Sequence, residues 1–520
     1  MSIFLALVAL GVAPLAAATI RYRVSLDHGD QHLFQVHMVI PALGQSETVA
    51  LPVWNTLYRI EDFAYRVRDV RAEPSAIEDG AAYALRKIDK QTWQIRWAGA
   101  SNEVHSSDVA ITYFVEWDDV GPFNSQLDAH HAFINLAEIL MYVPERRSED
   151  TEITFEGVPP GWRVAAELVA GPAPYSFVAP SYGALVDAPV EAGRFDSFEF
   201  DSGGAHFRVV VDAARGWNRG FLEDALRRIT AYDLRLMGGP PFDPPNREFT
   251  FIFHIGPNDD VEGGGMEHRN STAIASSSAE GAAFYAAHEF FHAWNVKRIR
   301  PEALEPVDYT KEQYTRALWF AEGVTSTYGA YALERTGLWS KSQFYGDLAY
   351  QIGRLQSRPA RRWQSAEESS LDAWFEKYDG YNAPDRSISY YNKGQILGVL
   401  LDLAIRDATD NRKSLDDVLR RMNDEYARQG KFYNESEGIR AAVEEVAGKS
   451  FQEFFRRYVS GTDEIPYADF LGIAGLELKM EGAQWGASRE SNAHAAISEI
   501  SHPTDKQLRI RDGILRGSTN

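Results

Sequence analysis

The sequence predicts a multidomain fold in which a β-rich N-terminal domain is followed by a mainly helical domain. Apolar residues alternate with period two as far as about residue 214, and they recur at helical spacing from about Trp217 onward. The length of 520 residues is enough for three or four domains of roughly 100 to 200 residues each. With 44% hydrophobic and 24% charged residues, the chain has the composition of a folded protein with a large core.

Composition also excludes several functions. Lys and Arg number 53 against 74 Asp and Glu, so the net charge of −21 repels phosphate backbones, and nucleic acid is not an expected partner. The chain has no cysteine, which excludes disulfides, a thiolate nucleophile and cysteine-ligated zinc. Any bound metal must therefore be held by carboxylates and by some of the 13 histidines.

Residues 1–18 form an apolar run that closes with three alanines, and this pattern is typical of a signal peptide. The run carries no Lys or Arg near its start, so an uncleaved apolar anchor or a wrongly assigned start of the chain is the alternative. No later stretch is long and uncharged enough for a membrane span of about 20 residues. The sequence thus predicts an exported protein, periplasmic or secreted, with no integral membrane span after signal removal.

Residues 19–214 are predicted to form the β-rich domain, which is sandwich-like or barrel-like. Their apolar residues alternate in four clear runs, as expected of antiparallel strands with one buried face. The runs are Ile20-Tyr22-Val24-Leu26, Phe34-Val36-Met38-Ile40, Trp93-Ile95-Trp97 and Val109-Ile111-Tyr113-Val115-Trp117.

Residues 215–470 are predicted to form the second domain, with α+β content. A helix from Phe221 to Leu236 ends at a run of glycines and prolines, and a strand at Glu248–Gly256 follows. Beyond Glu280 the helical pattern continues to about Tyr458. Residues 471–520 are left as a tail outside both domains.

The segment His288-Glu289-Phe290-Phe291-His292 is an H-E-x-x-H motif. On a helix, residues four apart lie one turn apart, with roughly 5 to 6 Å between their β-carbons, so both imidazoles can bind one metal ion. Glu289 projects from the same helix and can accept a proton from a water that attacks a carbonyl carbon. We therefore assign His288 and His292 as metal ligands and Glu289 as the catalytic base.

A catalytic zinc keeps three protein ligands and an open fourth position, so a third ligand is required. Glu312 lies in the polar segment Lys311-Glu312-Gln313, which is typical of a solvated helix face. Glu322 instead follows large apolar residues in the segment 318–323. A buried carboxylate needs a partner, and a metal ion is a good one. This context favours Glu322 over Glu312.

The chain resembles the glycyl aminopeptidase family of gluzincin zinc metallopeptidases. The segments that carry the resemblance are residues 51–54, 288–298, 319–323, 389–394 and 458–462. It implies that a β-rich domain precedes a thermolysin-like catalytic domain and then a PDZ domain. It also implies one Zn²⁺ per chain and peptide substrates, although His/His/Glu ligation accepts cobalt or manganese as well.

The same resemblance gives a meaning to the glycine-rich segment 263–268. It is similar to the motif of related aminopeptidases whose glutamate binds the free α-amine of the substrate, which assigns Gly265, Met266 and Glu267 to substrate binding. Without the resemblance, these residues indicate only a turn. His268 stands where many relatives have asparagine, and its role stays open.

Tyr391-Asn392-Lys393-Gly394 is similar to the aminopeptidase segment whose tyrosine stabilises the tetrahedral oxyanion. The register of the match selects Tyr391, and Tyr390 is the alternative. Residue type alone does not decide between them, because a tyrosine pair before a helix is commonly a packing feature.

The tail is shorter than the PDZ domain that the resemblance implies. The segment 508–517 resembles an early PDZ strand, and the chain then stops. The tail is therefore predicted to be either a truncated PDZ-like unit or partly disordered, since half a domain cannot close its own core.

Together these features predict a zinc-dependent aminopeptidase that favours small N-terminal residues such as Gly or Ala. A zinc endopeptidase acting on unfolded polypeptides and a non-catalytic peptide-binding protein are the alternatives. The histidines of the β-rich half have no acidic partners evident in the sequence, so we expect them to be structural. They are His28, His32, His37, His130 and His131.

Overall fold

The structure is a computed structural model that describes residues 19–43, 46–75, 82–98, 107–214, 216–242, 247–256, 263–481 and 494–517. The predicted signal peptide, residues 1–18, lies outside the described residues.

The N-terminal half is built almost entirely from strands, as predicted. The strands are β1 (Ile20–His28), β2 (Leu33–Leu43), β3 (Ser46–Ala50), β4 (Val67–Pro74), β5 (Tyr83–Lys87), β6 (Thr92–Trp97), β7 (Ser107–Glu116), β8 (Gln126–Leu127), β9 (His131–Ile134), β10 (Thr151–Glu156), β11 (Arg163–Ala166), β12 (Val169–Ala170), β13 (Ser176–Ala179) and β14 (Val190–Gly193). Two short helices, α1 (Leu136–Ile139) and α2 (Tyr182–Val186), lie among them.

These strands form three sheets. The largest has seven strands in the order β12-β13-β10-β1-β2-β7-β4, and the others are β3-β6-β5 and β11-β14-β9-β8. The alternating residues of β1 and β2 face one core, in which Tyr22, Val24, Val36 and Met38 are fully buried or nearly so. The period-two prediction for this half is confirmed, because the central strands β1, β2 and β7 of the large sheet present alternating apolar residues to that core.

A five-stranded sheet opens the second half. Its strands are β15 (Asp196–Ser202), β16 (Ala205–Ala213), β17 (Glu248–Ile255), β18 (Gly264–Glu267) and β19 (Ser271–Ser276), in the order β15-β16-β17-β19-β18. β18 is antiparallel to β19 and forms an edge, whereas β16, β17 and β19 run parallel. β15 and β16 precede the predicted boundary at residue 214, yet they pair into this sheet rather than with the N-terminal strands.

Both faces of the five-stranded sheet are covered. Phe249, Phe251 and Phe253 of β17 pack on the helical side, in the main core cluster. On the other face, Ile252 packs against Phe133 of the N-terminal domain. β17 therefore carries an almost continuous apolar run, as expected of a strand buried on both sides.

The remainder is mainly helical, as predicted. The helices are α3 (Arg219–Met237), α4 (Ala279–Glu289), α5 (Thr325–Arg335), α6 (Lys341–Gln356), α7 (Ala366–Leu371), α8 (Tyr390–Ala408), α9 (Leu415–Glu425), α10 (Glu435–Ala447), α11 (Gln452–Phe454) and α12 (Tyr467–Gly472). A π-helical turn, Trp319–Val324, leads directly into α5. Within the described residues, none of the helices has both the length and the apolar character that a membrane span requires.

The tail differs from its prediction. Strands β20 (Leu476–Glu481) and β21 (His494–Glu499) pair antiparallel, and helix α13 (Asp505–Arg516) follows. The segment 508–517, predicted to be a PDZ-like strand, is therefore mostly helix. Thr504 and Gln507 form a capping box that starts α13, and Ile510 and Ile514 lie one turn apart and are buried in the main core. The described part of the tail is thus an ordered attachment to the helical domain.

Candidate active site

The H-E-x-x-H motif lies at the end of α4, which begins at an N-cap in which Ser278 Oγ accepts from Gly281 N. α4 ends at Glu289, inside the motif, and the chain continues as a 3₁₀ turn over Phe291–Ala293. The backbone stays helical in sense, so His288 and His292 still face the same side. Their Nε2 atoms are 3.0 Å apart.

Glu322 completes the cluster from the π-helical turn. Its Oε2 lies 3.6 Å from His288 Nε2 and 3.2 Å from His292 Nε2, and its side chain is 2% exposed. Burial alone would raise the pKa of Glu322, but His292 and His288 hold it below its usual value. The structure brings Glu322 to the two histidines, and Glu312 is not among the groups that converge there. π-helical turns are rare and occur frequently at functional sites.

Hydrogen bonds behind the histidines fix their orientation. His292 Nδ1 donates to the carbonyl of Asn295 at 2.7 Å. Ser326 Oγ donates to the carbonyl of Glu322, so it can accept a proton from His288 Nδ1, which is 3.2 Å away. Both rings thereby keep the proton on Nδ1 and turn the Nε2 lone pair toward the cluster, as metal-binding histidines do. Sequence reasoning assigned no role to Asn295 or Ser326.

The three side chains fit a zinc ion. In a tetrahedral site with zinc–ligand bonds of about 2.0 to 2.1 Å, donor atoms are about 3.3 Å apart. The separations in this cluster, 3.0, 3.2 and 3.6 Å, bracket that value. Two imidazoles and one carboxylate are also a common donor set for catalytic zinc. His288, His292 and Glu322 can therefore hold the metal.

Two further carboxylates lie beside the cluster. Donor atoms of Glu267, Glu289 and His292 all lie within 4.8 Å of one another. Burial, together with the neighbouring carboxylates, raises the pKa of Glu289 well above its usual value, and burial also raises the pKa of Glu267. Glu289 Oε2 is buried without a hydrogen-bond partner. A group of buried acids of this kind needs a cationic or proton-donating partner.

Gly265 lets the edge strand approach the side chain of Glu289. A β-carbon at Gly265 would lie 2.4 to 2.5 Å from side-chain atoms of Glu289, so a side chain there would displace the carboxylate. Gly265 and Glu267 lie on the same face of β18, since strand residues two apart point the same way. Met266 points to the opposite face and is 2% exposed. The side chain of Met266 is therefore not presented on the face that carries Glu267.

The two tyrosines differ in exposure. Tyr390 is 3% exposed, whereas Tyr391 is 38% exposed and its ring centroid is 6.2 Å from that of His288. Burial of the hydroxyl and the charge of Glu322 raise the pKa of Tyr391 well above 10, so the phenol keeps its proton and can donate a hydrogen bond. The accessible ring beside the cluster belongs to Tyr391.

A pair of glycines brings α8, which carries both tyrosines, against the π-helical turn. A β-carbon at Gly323 would lie 2.4 Å from Gly394 Cα, and one at Gly394 would lie 2.1 Å from the carbonyl oxygen of Trp319. No larger residue fits at either position without moving the backbone. The glycine pair thus sets the distance between Glu322 and Tyr391.

The turn after β18 is held by the N-terminal domain. Asp187, at the C-terminal end of α2, accepts from Lys297 Nζ at 2.8 Å and from the backbone N–H of Arg269 at 3.2 Å, and its Oδ1 is 3.3 Å from His268 Nδ1. Burial opposes ionisation of Asp187, but Lys297 and His268 keep its pKa well below the usual value. His268, whose role the sequence left open, is therefore part of a contact between the domains next to Glu267.

A second contact from the N-terminal domain reaches the glycine-rich strand. A β-carbon at Gly264 would lie 2.7 Å from the ring of Phe123, so this ring packs directly on the strand. The fully buried Glu138 accepts from Ser125 N and Oγ, both at 2.7 Å, and from Asn55 Nδ2 at 2.9 Å. This network fixes the loop that carries Phe123. Sequence reasoning missed Phe123 and Glu138, because only the fold shows that they approach residue 264.

A buried His-Glu-x-x-His site completed by a distant glutamate, between an edge strand and a helical layer, defines a metallopeptidase. Two family models match the chain: the peptidase M61 N-terminal domain at residues 21–194 and the M61 glycyl aminopeptidase at residues 283–397. Together they span more than half of the chain. The chain belongs to the M61 glycyl aminopeptidase family, and its activity is that of an aminopeptidase.

Comparison with solved structures identifies one that shares the fold. An aminopeptidase N family protein from Idiomarina loihiensis superposes with a TM-score of 0.81 at 24% identity, over 89% of this chain and 79% of that chain. An M1 zinc metallopeptidase from Deinococcus radiodurans has a TM-score of 0.49 at 14% identity, over 86% and 95% of the two chains, a similarity too low to inform function. No curated protein matches the chain.

Proposed function

We propose that the chain is a zinc aminopeptidase that removes small N-terminal residues from peptides, with His288, His292 and Glu322 as ligands of a single catalytic zinc. The observation that carries the proposal is the convergence of Glu267 and Glu289 on the histidine cluster, with donor atoms within 4.8 Å of His292. One acid serves the chemistry and the other recognises a charged terminus.

Zinc, when bound, would polarise the scissile carbonyl and lower the pKa of a bound water to about 7. Glu289 takes the proton from the attacking water and passes it to the leaving amine. Its position suits this role, because its carboxylate lies beside the cluster, with donor atoms of Glu289 and His292 within 4.8 Å of each other. Gly265 is needed beside it, since a larger residue would push the carboxylate away.

Tyr391 donates its phenolic proton in a hydrogen bond to the oxyanion of the tetrahedral intermediate. The partial exposure of its ring and its position beside His288 support this role over Tyr390. Such a donor commonly contributes about 3 to 4 kcal/mol to the transition state. Loss of the hydroxyl in Tyr391→Phe is therefore expected to lower kcat, with little change in zinc content.

Glu267 accepts the charged α-amine of the substrate in a charge-assisted hydrogen bond. Three carboxylates, those of Glu267, Glu289 and Glu322, make the site strongly attractive to a cation. Glu322 is assigned to the zinc and Glu289 to proton transfer. The third remains for the amine, and this favours cleavage after the first residue over internal cleavage.

The test is hydrolysis of free and N-acetylated alanyl and glycyl peptides by the mature chain, with and without a chelator. Chelator-sensitive cleavage of free peptides alone supports the proposal. Equal cleavage of acetylated peptides would assign the protein to the endopeptidases, and peptide binding without turnover by zinc-loaded protein would assign it to the binding proteins. A series with Gly, Ala, Leu and Phe at the N-terminus measures the preference for small residues, which so far rests on the family resemblance.

We also propose that the chain acts after export, in the periplasm or outside the cell. The support is the apolar run and alanine-rich end of residues 1–18. N-terminal sequencing of the protein recovered from a periplasmic or culture fraction tests this. A start near Thr19 is expected, and an intact start in a membrane fraction would favour the uncleaved anchor.

A further inference from the structure

A second cluster of two histidines and a glutamate lies where the N-terminal domain meets the five-stranded sheet. Its members are His131 of β9, Glu191 of β14 and His254 of β17. Glu191 Oε1 is 3.2 Å from His131 Nδ1, and Glu191 Oε2 is 2.9 Å from His254 Nε2. The three donor atoms lie within 4.8 Å of one another, as in the catalytic cluster. The fold thus supplies the acidic partner that His131 lacked in the sequence.

The charge of Glu191 requires a cation. Its side chain is 0% exposed, and in the part of the chain that the structure describes no Lys or Arg forms an ion pair with it. Burial opposes its ionisation, but hydrogen bonds and charge from His131 and His254 lower its pKa. Neutral imidazoles bring no charge, and an uncompensated buried carboxylate is costly. The ionised form of Glu191 therefore requires a positive charge within this cluster.

A glutamine behind His131 fixes the orientation of its ring. Gln126 Nε2 donates to Asp118 Oδ1 at 3.1 Å, which turns its carbonyl oxygen toward His131 Nε2, also at 3.1 Å. An acceptor at that position holds a proton on Nε2 and leaves Nδ1 facing Glu191. The catalytic histidines are oriented in the same manner, by acceptors on the ring nitrogen that faces away from the cluster.

Solvent can reach the cluster. The side chains of His131 and His254 are each 13% exposed, and Asp212 lies at the rim with 39% exposure. Asp212 Oδ2 is 3.8 Å from His131 Nδ1, close enough to supply a further oxygen. An ion therefore has a path to the three donors without unfolding of either domain.

We propose that His131, Glu191 and His254 form a second divalent-metal site, of the zinc class, that ties the N-terminal domain to the sheet of the catalytic domain. Two imidazoles and a carboxylate are the donors that zinc accepts. The site is separate from the catalytic cluster and does not depend on the proposed peptidase mechanism. The competing cation is a proton: although burial opposes it, Glu191 raises the pKa of His131 to about 9.

Counting the bound metal ions distinguishes zinc from a proton as the cation in this cluster. The full mature chain is loaded with Zn²⁺, freed of loosely bound metal by gel filtration, and analysed by mass spectrometry of the metal. We expect about two zinc ions per chain in the wild type and about one in Glu191→Gln, with peptide hydrolysis within about twofold of wild type. His206→Asn is the matched control, because His206 also contacts two acids, Asp201 and Glu199, but at the surface. This control is expected to keep about two.

A count of about one zinc in both the wild type and Glu191→Gln would overturn the proposal and leave a protonated His131 as the cation. Should Glu191→Gln fail to fold, a variant of the catalytic cluster tests the proposal instead. His292→Ala removes a catalytic ligand, so the zinc that remains must sit elsewhere. We expect about one zinc per chain and a higher thermal inactivation midpoint when Zn²⁺ is added. No retained zinc and no thermal shift would equally overturn the proposal.

Discussion

The two His/Glu/His clusters contain the same residue types, two histidines and one glutamate. They differ in how far apart these residues lie in the sequence. In the proposed catalytic cluster, His288 and His292 come from one helical motif and Glu322 from a π-helical turn further along the chain. In the second cluster, Glu191 lies 60 residues from His131 and 63 from His254, and each residue comes from a different strand. Helical spacing places two ligands within one motif, whereas sheet pairing brings together residues with no local signature.

The largest effect on activity is expected from removal of a ligand in the catalytic cluster. His292→Ala should remove the catalytic metal and lower kcat/KM by at least about 10³-fold, because a catalytic metal contributes several kcal/mol to the transition state. The second cluster should keep its zinc. Peptide hydrolysis and metal content are measured on the same preparation. Loss of metal together with full activity would show that His292 is not a catalytic ligand.

Glu289→Gln should lower kcat by about 10²- to 10⁴-fold, the usual contribution of a general base. Metal content should not change, because Glu289 is not among the three ligands. The comparison with His292→Ala therefore distinguishes proton transfer from metal binding. Turnover near the wild-type rate with zinc still bound would refute the assignment of Glu289.

Glu267→Gln should lower kcat/KM for free peptides by about 10- to 100-fold, since a hydrogen bond to a charged group contributes about 1.5 to 3 kcal/mol. Acetylated peptides, already poor substrates, should be affected much less. Glu280→Gln, an exposed glutamate in the first turn of α4, is the matched control. An equal loss for both kinds of peptide would remove the case for amine recognition.

Gly394→Ala should separate α8 from the π-helical turn, because its β-carbon would lie 2.1 Å from the carbonyl oxygen of Trp319. We expect a destabilisation of about 1 to 3 kcal/mol and a several-fold lower kcat, as Tyr391 moves relative to Glu322. Gly346→Ala in α6 has open space around its β-carbon and should not destabilise the protein, since alanine favours a helix by up to about 1 kcal/mol over glycine. Similar inactivation half-lives for the two variants would contradict the packing argument.

Asp187→Asn should have the smallest effect, on stability more than on turnover. The pKa of Asp187 is lowered in the folded state, so its contribution is present above the unfolded pKa of about 3.9 and is lost as pH falls below that value. We expect a loss of about 1 to 3 kcal/mol at pH 7 and a smaller difference from wild type near pH 3. Thermal inactivation at both pH values measures it, with the exposed Asp201→Asn as control. A difference that does not depend on pH would exclude the ion pair as its cause.

Sequence patterns predicted those parts of the molecule whose signal is local. The alternation at Tyr22 and Val24 predicted β1, and the spacing of His288 and His292 predicted a metal cluster. Glu322 was found because an acid among apolar residues needs a partner. Each of these inferences needed only a few neighbouring residues and one periodicity.

The features that were missed depend on contacts between distant segments. Phe123 reaches Gly264, and Asp187 reaches Lys297, only through the packing of the two domains. The tail was misassigned for a different reason. The resemblance to a PDZ strand outweighed a local helix signal, the capping box at Thr504 followed by apolar residues one turn apart.

Because of the π-helical turn at Trp319–Val324, the position of Glu322 depends on the number of residues in this segment. A π-helical turn contains one residue more than the α-helix it interrupts. Deleting one residue of this turn after Glu322, at position 323 or 324, would restore a regular helix and rotate whatever precedes the deletion by about 100°. Glu322 would then swing away from the histidines while every side chain required for chemistry was still encoded. Insertions and deletions between Glu322 and the end of α5 at Arg335 are therefore constrained by the position that Glu322 must keep beside the histidines.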